Sequence, residues 1–279
     1  MNTNYRKIFI ISVLIICIVA INMAVFSQIT KKPKKSKDEK ETVDTTKLVE
    51  EFEAIFNNKI DIQENKIQVQ KIDSNKELVY TSYLKKENEN GLYDFDINIP
   101  YINIDNANAK NINSEIENVF YKKISNIQSL GQTAIYSVKY QAYVNDNILS
   151  IIISSKLKEG SNSQRVIIKT YNYNLLSNKV CTLPELLSYK GLQKQDTQDK
   201  INETIQKSIN DVNQYKALGY ERYLRNINDS MYKIENTTTF FLGSNKTFYI
   251  IYPYGNSNYT SEFDLVSLVQ NAIIIPIIR

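Results

Sequence analysis

The sequence contains no histidine and no tryptophan, and only two of its 279 residues are cysteine. Histidine is the commonest general base and the commonest metal ligand, so its absence removes most triad chemistry and most zinc sites. Cys17 lies in an apolar run and Cys181 stands alone in the rest of the chain, so neither a disulfide framework nor a cysteine-rich zinc site can be built. The sequence therefore predicts a protein that is not an enzyme, with no catalytic residues, no metal site and no cofactor.

The excess of positive over negative charge is confined to the N-terminal region. The whole chain carries a net charge of +4, but residues 1–47 contain nine basic and four acidic side chains, so the remaining residues have a net charge of −1. A nucleic-acid-binding protein needs a strongly basic face to meet the phosphate backbone. We therefore predict no nucleic-acid partner.

One long apolar run lies near the N-terminus, at residues 8–26, and Ser12 and Asn22 are its only polar interruptions. At about 1.5 Å rise per residue, this run spans most of a hydrocarbon core about 30 Å thick. The sequence predicts a short cytoplasmic tail at residues 1–7 and a single transmembrane signal anchor at residues 8–29.

A cleaved signal peptide is the alternative interpretation, with Val25 and Ser27 marking a possible signal-peptidase region. Residues 30–46 follow as a charged, proline-containing linker without apolar periodicity. Its lysines form either a solvated tether or a contact with anionic lipid headgroups or wall polymers. A positive-inside count would keep residues 47–279 in the cytoplasm, but a long domain translocates largely regardless of charge. We predict a single-pass protein of the cell membrane whose C-terminal domain, residues 47–279, is extracytoplasmic.

The most regular part of this domain is a predicted meander of three strands at residues 134–144, 148–153 and 166–173. The first strand alternates small and aromatic apolar residues with polar ones, and the second is apolar on both faces, as a central strand would be. The turns fall at residues 145–147 and 159–163, which are rich in Asn, Asp, Gly and Ser.

Further elements flank the meander. Apolar residues recur at helical spacing over residues 107–128 and around 201–212, which predicts two long amphipathic helices. Shorter helices are predicted at residues 48–56, after the capping-box sequence at 182–185, and at 220–227. Strands are predicted at 67–72, 78–84, 92–99, 238–242, 247–252 and 272–278. Pro100 is expected to end the strand at 92–99 or to place it at an edge of its sheet. The order favours an α+β fold of antiparallel sheets with two long amphipathic helices, and a possible subdivision near residue 180.

Two sets of side chains are candidate sites. Asp94 and Asp96 lie on one face of a predicted strand, where paired carboxylates could bind a metal, but a solvated strand face is the favoured interpretation because no third ligand accompanies them. Tyr252, Tyr254 and Tyr259 lie in a region rich in Pro, Gly and Asn and are the predicted partner-binding residues, because tyrosine gives large contact area at low entropic cost. The alternative is that Tyr252 belongs to the core and the other two reflect coding bias.

Three stretches carry a resemblance to a known family: residues 136–149, 165–175 and 180–187. They resemble the extracytoplasmic region of RsiV-type anti-sigma factors, a domain also found as the non-catalytic N-terminal part of some peptidoglycan deacetylases. The most specific part is the strand ending Tyr-Asn-Tyr-Asn-Leu, followed by Thr-Leu-Pro-Glu-Leu-Leu; residues 240–242 and 248–254 add support.

The resemblance implies a membrane-anchored binding or sensor domain that faces the cell wall, with lysozyme, another wall-acting protein or peptidoglycan as its partner. In this family, lysozyme binding exposes a signal-peptidase site near the membrane, and residues 25–27 are the matching candidate here. Because only residues 1–7 precede the predicted span, a sigma-binding segment is not expected. The alternatives implied are a regulatory receptor of the anti-sigma type that acts through a partner protein, or a peptidoglycan-binding module.

Overall fold

A computed structural model describes residues 50, 52–57, 69–131, 133–218, 222–244, 247–254 and 262–268. All of these residues lie in one compact unit, Asp44–Arg279. The predicted anchor, the linker and the residues Val25 and Ser27 lie outside the described ranges. Within those ranges, no helix combines the length and the apolar character needed to cross a membrane.

The larger of two sheets has six strands in the order β1-β2-β3-β4-β5-β6. Its strands are β1 (Val79–Glu89), β2 (Tyr93–Ile102), β3 (Ala134–Asn145), β4 (Ile148–Glu159), β5 (Arg165–Asn174) and β6 (Lys179–Val180). The predicted meander is confirmed as β3, β4 and β5, and β4 is buried on both faces over most of its length. Asp146 adopts a φ of 53° in the turn between β3 and β4, a conformation that Asp tolerates better than most residues.

The expectation of purely antiparallel sheets is wrong at one position, because β2 and β3 pair in parallel over Tyr93–Ile97 and Ala134–Val138. Parallel neighbours need a long crossover, and the predicted amphipathic helix supplies it. This helix is confirmed as α1 (Ala107–Ile116), a π-helical turn (Glu117–Tyr121) and α2 (Lys122–Leu130). Its apolar side packs on one face of the six-stranded sheet, the helix face, in a core that includes Ile116, Phe120, Phe95, Tyr136 and Ile153.

The second sheet contains β7 (Phe240–Leu242), β8 (Phe248–Tyr254) and β9 (Glu262–Leu268), paired antiparallel with β8 in the centre. It packs on α3 (Leu183–Tyr189) and α4 (Lys194–Ala217), and two 3₁₀ turns lie nearby at Ser230–Tyr232 and Ile234–Asn236. The predicted capping box of α3 is confirmed: the Glu185 N–H donates to Thr182 Oγ1, and the Thr182 N–H donates to Glu185 Oε2 at 2.8 Å. The helix α4 is the second long amphipathic helix.

The two sheets meet through an apolar cluster that contains Phe52, Tyr143, Ile152, Phe241 and Ile251 among others. Polar side chains of the larger sheet also bind the backbone of β7 directly. The Phe240 N–H donates to Thr170 Oγ1 at 2.9 Å, Asn172 Nδ2 donates to the Phe240 carbonyl at 2.6 Å, and the Leu242 N–H donates to Ser150 Oγ at 3.2 Å. The backbone of β7 is therefore hydrogen-bonded on the side away from β8, although no strand pairs there among the described residues.

Three local predictions are wrong. Residues 69–72 form no strand, and residues 222–227 form no helix, because Arg225 is held there by a carboxylate from β9. Pro100 neither ends β2 nor places it at an edge. Proline is accommodated because the pairing of β2 with β3 ends at Ile97 and the β1–β2 register shifts between Thr81 and Tyr83, beside Pro100.

Candidate functional site

The predicted partner-binding tyrosines were expected at the surface, and for two of them this expectation is wrong. Tyr252 and Tyr254 lie in β8, the central strand of the second sheet, and only 2% and 4% of their surfaces are exposed. Alternate residues of β8 face the core beneath α3 and α4, which the local sequence could not show. Tyr259 lies outside the described residues. The alternative that Tyr252 belongs to the core is confirmed, and a role of the three tyrosines in partner binding stays a prediction.

Tyr254 belongs instead to a buried polar network centred on Asp264 of β9. Asp264 accepts hydrogen bonds from Tyr254 Oη at 2.7 Å, from Ser208 Oγ at 2.8 Å and from Arg225 Nε and Nη2 at 3.0 and 3.2 Å. The side chains of Arg225 and Asp264 are only 5% and 6% exposed. Four donors occupy the lone-pair positions of one carboxylate, which leaves it no capacity to bind a substrate.

The donor and acceptor of each tyrosine hydrogen bond in the network follow from the contacts of Tyr254. The single proton of Tyr254 is donated to Asp264 Oδ2, so Tyr232 must donate to Tyr254 Oη across their 2.8 Å contact. Burial, reinforced by the negative charge of Asp264, raises the pKa of Tyr254 far above its ordinary value. Burial also raises the pKa of Tyr252 to about 12, against the lowering effect of its hydrogen bond to Thr237. These tyrosines are neutral donors that connect α4, β8, β9 and residues 222–232, so the network is a structural element.

The candidate binding surface is the other side of the larger sheet. Its second face is covered over β4 and β5 by the second sheet and by Phe52 and Ile55. Over β1–β3 the described residues leave it uncovered, and we call this part the open face. The open face is formed by Leu84, Lys86, Asp94, Asp96, Asn98, Ile135, Ser137 and Lys139.

Strand registers place these residues side by side. Lys86 lies opposite Asp96, which in turn lies opposite Ser137, and Asp94 lies opposite Ile135. Two aliphatic side chains are strongly exposed within this charged surface, Leu84 at 73% and Ile135 at 52%. Asp94 and Asp96 are exposed, as expected for a solvated strand face. In the described ranges there is no group of three or more Cys, Asp or Glu side chains that could hold a metal ion.

The open face therefore combines exposed aliphatic groups with charges of both signs on a β-sheet. Such a mixed surface is typical of non-obligate protein interfaces, whose composition is close to that of ordinary protein surface. Because basic and acidic side chains are interspersed on neighbouring strands, the open face does not favour a partner of one particular net charge.

Comparison with solved structures finds several similar chains, and two of them are DUF3298 family proteins. The chain is similar to a DUF3298 family protein from Pseudomonas aeruginosa PAO1, at 13% identity and a TM-score of 0.35, over 72% of this chain and 91% of that one. It is similar to a DUF3298 family member from Bacteroides fragilis NCTC 9343, at 12% identity and a TM-score of 0.35, over 63% of this chain and 81% of that one. No protein-family model and no curated protein matches the chain. At this TM-score, the similarity assigns no function.

Proposed function

We propose that this chain is a membrane-anchored extracytoplasmic domain that faces the cell wall and acts by binding, as a sensor or recognition module, rather than by catalysis. The apolar run at residues 8–26 and the charged linker after it support the anchored arrangement. The stretches that carry the resemblance to RsiV-type anti-sigma factors support the sensor role. They contain most of β3, the whole of β5 and most of the capped helix α3, together with the start of β4 and the last residue of β6.

The open face is the observation that carries the binding role. Helices cover one face of the larger sheet, and the described residues cover only part of the other. Leu84 and Ile135 are therefore exposed to solvent, and hydration of their apolar surface is unfavourable in free energy. Burial of such side chains against a partner recovers about 25 cal/mol per Å² of apolar surface. The charged residues around them keep the free domain soluble and limit which partners fit.

The proposed partner is lysozyme or another wall-acting protein. A protein partner is favoured over the peptidoglycan alternative because interspersed charges on neighbouring strands match a protein surface better than a repeating polymer. A regulatory receptor that acts through a second membrane protein would use the same contact, with the output supplied by that protein.

The test is direct binding of the full chain, purified in detergent, to lysozyme by surface plasmon resonance, with insoluble peptidoglycan pull-down alongside. We expect saturable lysozyme binding that is weakened about tenfold or more by the pair Leu84→Ser and Ile135→Ser. The matched control is the pair Leu218→Ser and Leu224→Ser, because both leucines are strongly exposed but lie away from the larger sheet.

Each outcome has a distinct meaning. Binding that is lost in the first pair and retained in the control supports the proposal in full. Binding that is equal in both pairs would support a binding protein and reject the open face as its site. Pull-down by peptidoglycan without lysozyme binding would favour the wall-binding alternative, and the absence of both would reject the proposed partners.

A further inference from the structure

The turn between β1 and β2 contains the single Asn-Gly sequence of the chain, Asn90-Gly91. Glu89 and Tyr93 are the last paired residues of this hairpin, and the Leu92 N–H closes the turn by donating to the Glu89 carbonyl at 3.0 Å. Gly91 adopts a φ of 79°, a conformation that glycine reaches without steric cost. The turn geometry therefore favours glycine at the position that follows Asn90.

The carboxamide of Asn90 and the backbone N–H of Gly91 are both free to react. Both residues are exposed, and no described residue forms a hydrogen bond with either group. A Cβ placed on Gly91 would meet no atom within 4 Å. The space around this amide nitrogen is therefore open, and glycine has no side chain of its own to shield it.

Other asparagines in the turns of the larger sheet lack this combination. The carboxamide oxygens of Asn174 and Asn178 accept hydrogen bonds, which hold these groups in place. Asn162, in the turn between β4 and β5, is exposed and its carboxamide has no hydrogen-bond partner among the described residues. However, Ser163 follows it, and the serine side chain shields the next amide nitrogen. Asn162 is therefore the closest internal comparison for Asn90.

We propose that Asn90 is a site of spontaneous deamidation in the folded protein. The Gly91 amide nitrogen loses its proton to solvent and attacks Cγ of Asn90, which forms a cyclic succinimide; Nδ2 takes up a proton from solvent and leaves as ammonia. Water then opens the ring at either of its two carbonyl carbons. The products are aspartate, with the main chain unchanged, and isoaspartate, in which the main chain runs through Cγ. One water is consumed for each ammonia released.

Conversion changes the end of the hairpin in two ways. Each product adds a negative charge next to Glu89, at the end of β1. Isoaspartate also adds a methylene group to the main chain of a turn that is bound to neighbouring residues. Thr133 Oγ1 donates to the Gly91 carbonyl at 3.1 Å, and the Ala134 N–H donates to the Leu92 carbonyl at 2.8 Å. Because β1 and β2 both contribute to the open face, deamidation alters one end of that face.

Peptide mapping by mass spectrometry tests the proposal on the full chain, kept folded in detergent at mildly alkaline pH and sampled over days. Digestion at mildly acidic pH prevents further conversion during the analysis. We expect the Asn90 peptide to gain the mass of an amide-to-acid conversion and to separate into aspartate and isoaspartate forms. Its rate should exceed that of the Asn162 peptide about tenfold or more, and should rise with pH because the attacking nitrogen must lose its proton.

Two variants locate the reaction. Asn90→Gln places the carboxamide one methylene further from the Gly91 nitrogen, so ring closure is disfavoured and the mass gain should disappear. A mass gain that persists in this variant would assign the reaction to Asn88 and overturn the proposal. Gly91→Asn introduces a residue type that tolerates a positive φ but adds a side chain beside the amide nitrogen, so conversion of Asn90 should slow about tenfold.

Thermal unfolding establishes that each variant is folded under the conditions of the incubation. Asn90 that stays intact while Asn162 converts would overturn the proposal. Conversion of Asn90 in urea but not in the folded chain would also overturn it, because the folded turn would then protect the site. The same holds for an unchanged rate at Asn90 in the Gly91→Asn variant.

Discussion

The buried carboxylate of Asp264 offers the sharpest test of what holds the second sheet to α4. Asp264→Ala removes the acceptor of four hydrogen bonds and the carboxylate of the buried Arg225–Asp264 ion pair. Removal of one partner from a buried ion pair costs about 3–5 kcal/mol, because an uncompensated charge remains in a poorly solvated site. We therefore expect the free energy of unfolding to fall by about 3–5 kcal/mol, a large fraction of the usual 5–15 kcal/mol.

Urea unfolding followed by far-ultraviolet circular dichroism measures this change. With a urea m value of about 3 kcal/mol per M, the midpoint should fall by roughly 1–1.7 M. Asp105→Ala is the matched control, since Asp105 binds Lys110 Nζ at 2.7 Å but both side chains are about half exposed. The equally short contact at the surface should contribute little, so the midpoint of this control should hardly move.

A double-mutant cycle separates the pair from the rest of the network. Arg225→Leu alone leaves Asp264 buried without its cation, whereas Asp264→Ala combined with Arg225→Leu removes both charges. The double variant should be more stable than the sum of the single changes predicts, by about 2 kcal/mol or more. Additive single changes, or a midpoint shift below about 0.3 M for Asp264→Ala, would refute the assignment of Asp264 as the centre of a stabilising network.

Three further outcomes are expected, each measured by urea unfolding. Tyr171→Phe should leave stability unchanged or raise it, because the Tyr171 hydroxyl is buried and forms no hydrogen bond of good geometry with the described residues, although the Glu115 carboxylate lies near it. A loss above about 1 kcal/mol would contradict this. Asn172→Ala should cost about 2–4 kcal/mol, because the amide joins Ser150 of β4 to the β7 backbone, and an unchanged midpoint would argue against this junction. Burial opposes the ionisation of Glu159, but Lys123 and Arg165 outweigh this effect and lower the pKa of the carboxyl group. The free energy of unfolding should therefore fall as the pH drops below about 4.5, and it should fall less in a Glu159→Gln variant over the same pH range.

Local patterns predicted much of the secondary structure. The alternation in residues 134–144 and the turn residues around 145–147 predicted β3 and the β3–β4 turn to within a residue. The capping box at Thr182 and Glu185 predicted the start of α3, because its hydrogen bonds form within four consecutive residues. These features depend on neighbours in sequence, and the sequence alone contains all of their partners.

Local patterns gave wrong predictions where contacts with residues far away in the sequence determine the local structure. Apolar periodicity over residues 220–227 favoured a helix, but in the described part of that segment Arg225 turns toward Asp264, 39 residues further along the chain. Pro100 favoured a strand end, yet β2 continues because its neighbour β3 no longer pairs there. The parallel pairing of β2 with β3 also depends on where the intervening helix packs, which no local signal encodes.

The tyrosines show the same limit for the functional site. Tyr252 ends the predicted strand 247–252, and Tyr254 lies between Pro253 and a stretch rich in Gly, Asn and Ser. The strand β8 continues to Tyr254 as the middle strand of its sheet, and both rings are buried. The open face could be found only in part: Asp94 and Asp96 were predicted on one solvated strand face, whereas Leu84 and Ile135 join them only through the strand register.

The sequence by itself determined the α+β class, the two long helices, the central meander and the lack of histidine chemistry, because these follow from composition and short-range periodicity. The tertiary structure alone decided which face of the larger sheet the described residues leave uncovered, which tyrosines are buried, and that the carboxylate of Asp264 forms an ion pair with Arg225. Those facts arise from contacts between residues tens of positions apart, whose free energies depend on burial and geometry that no sequence pattern records.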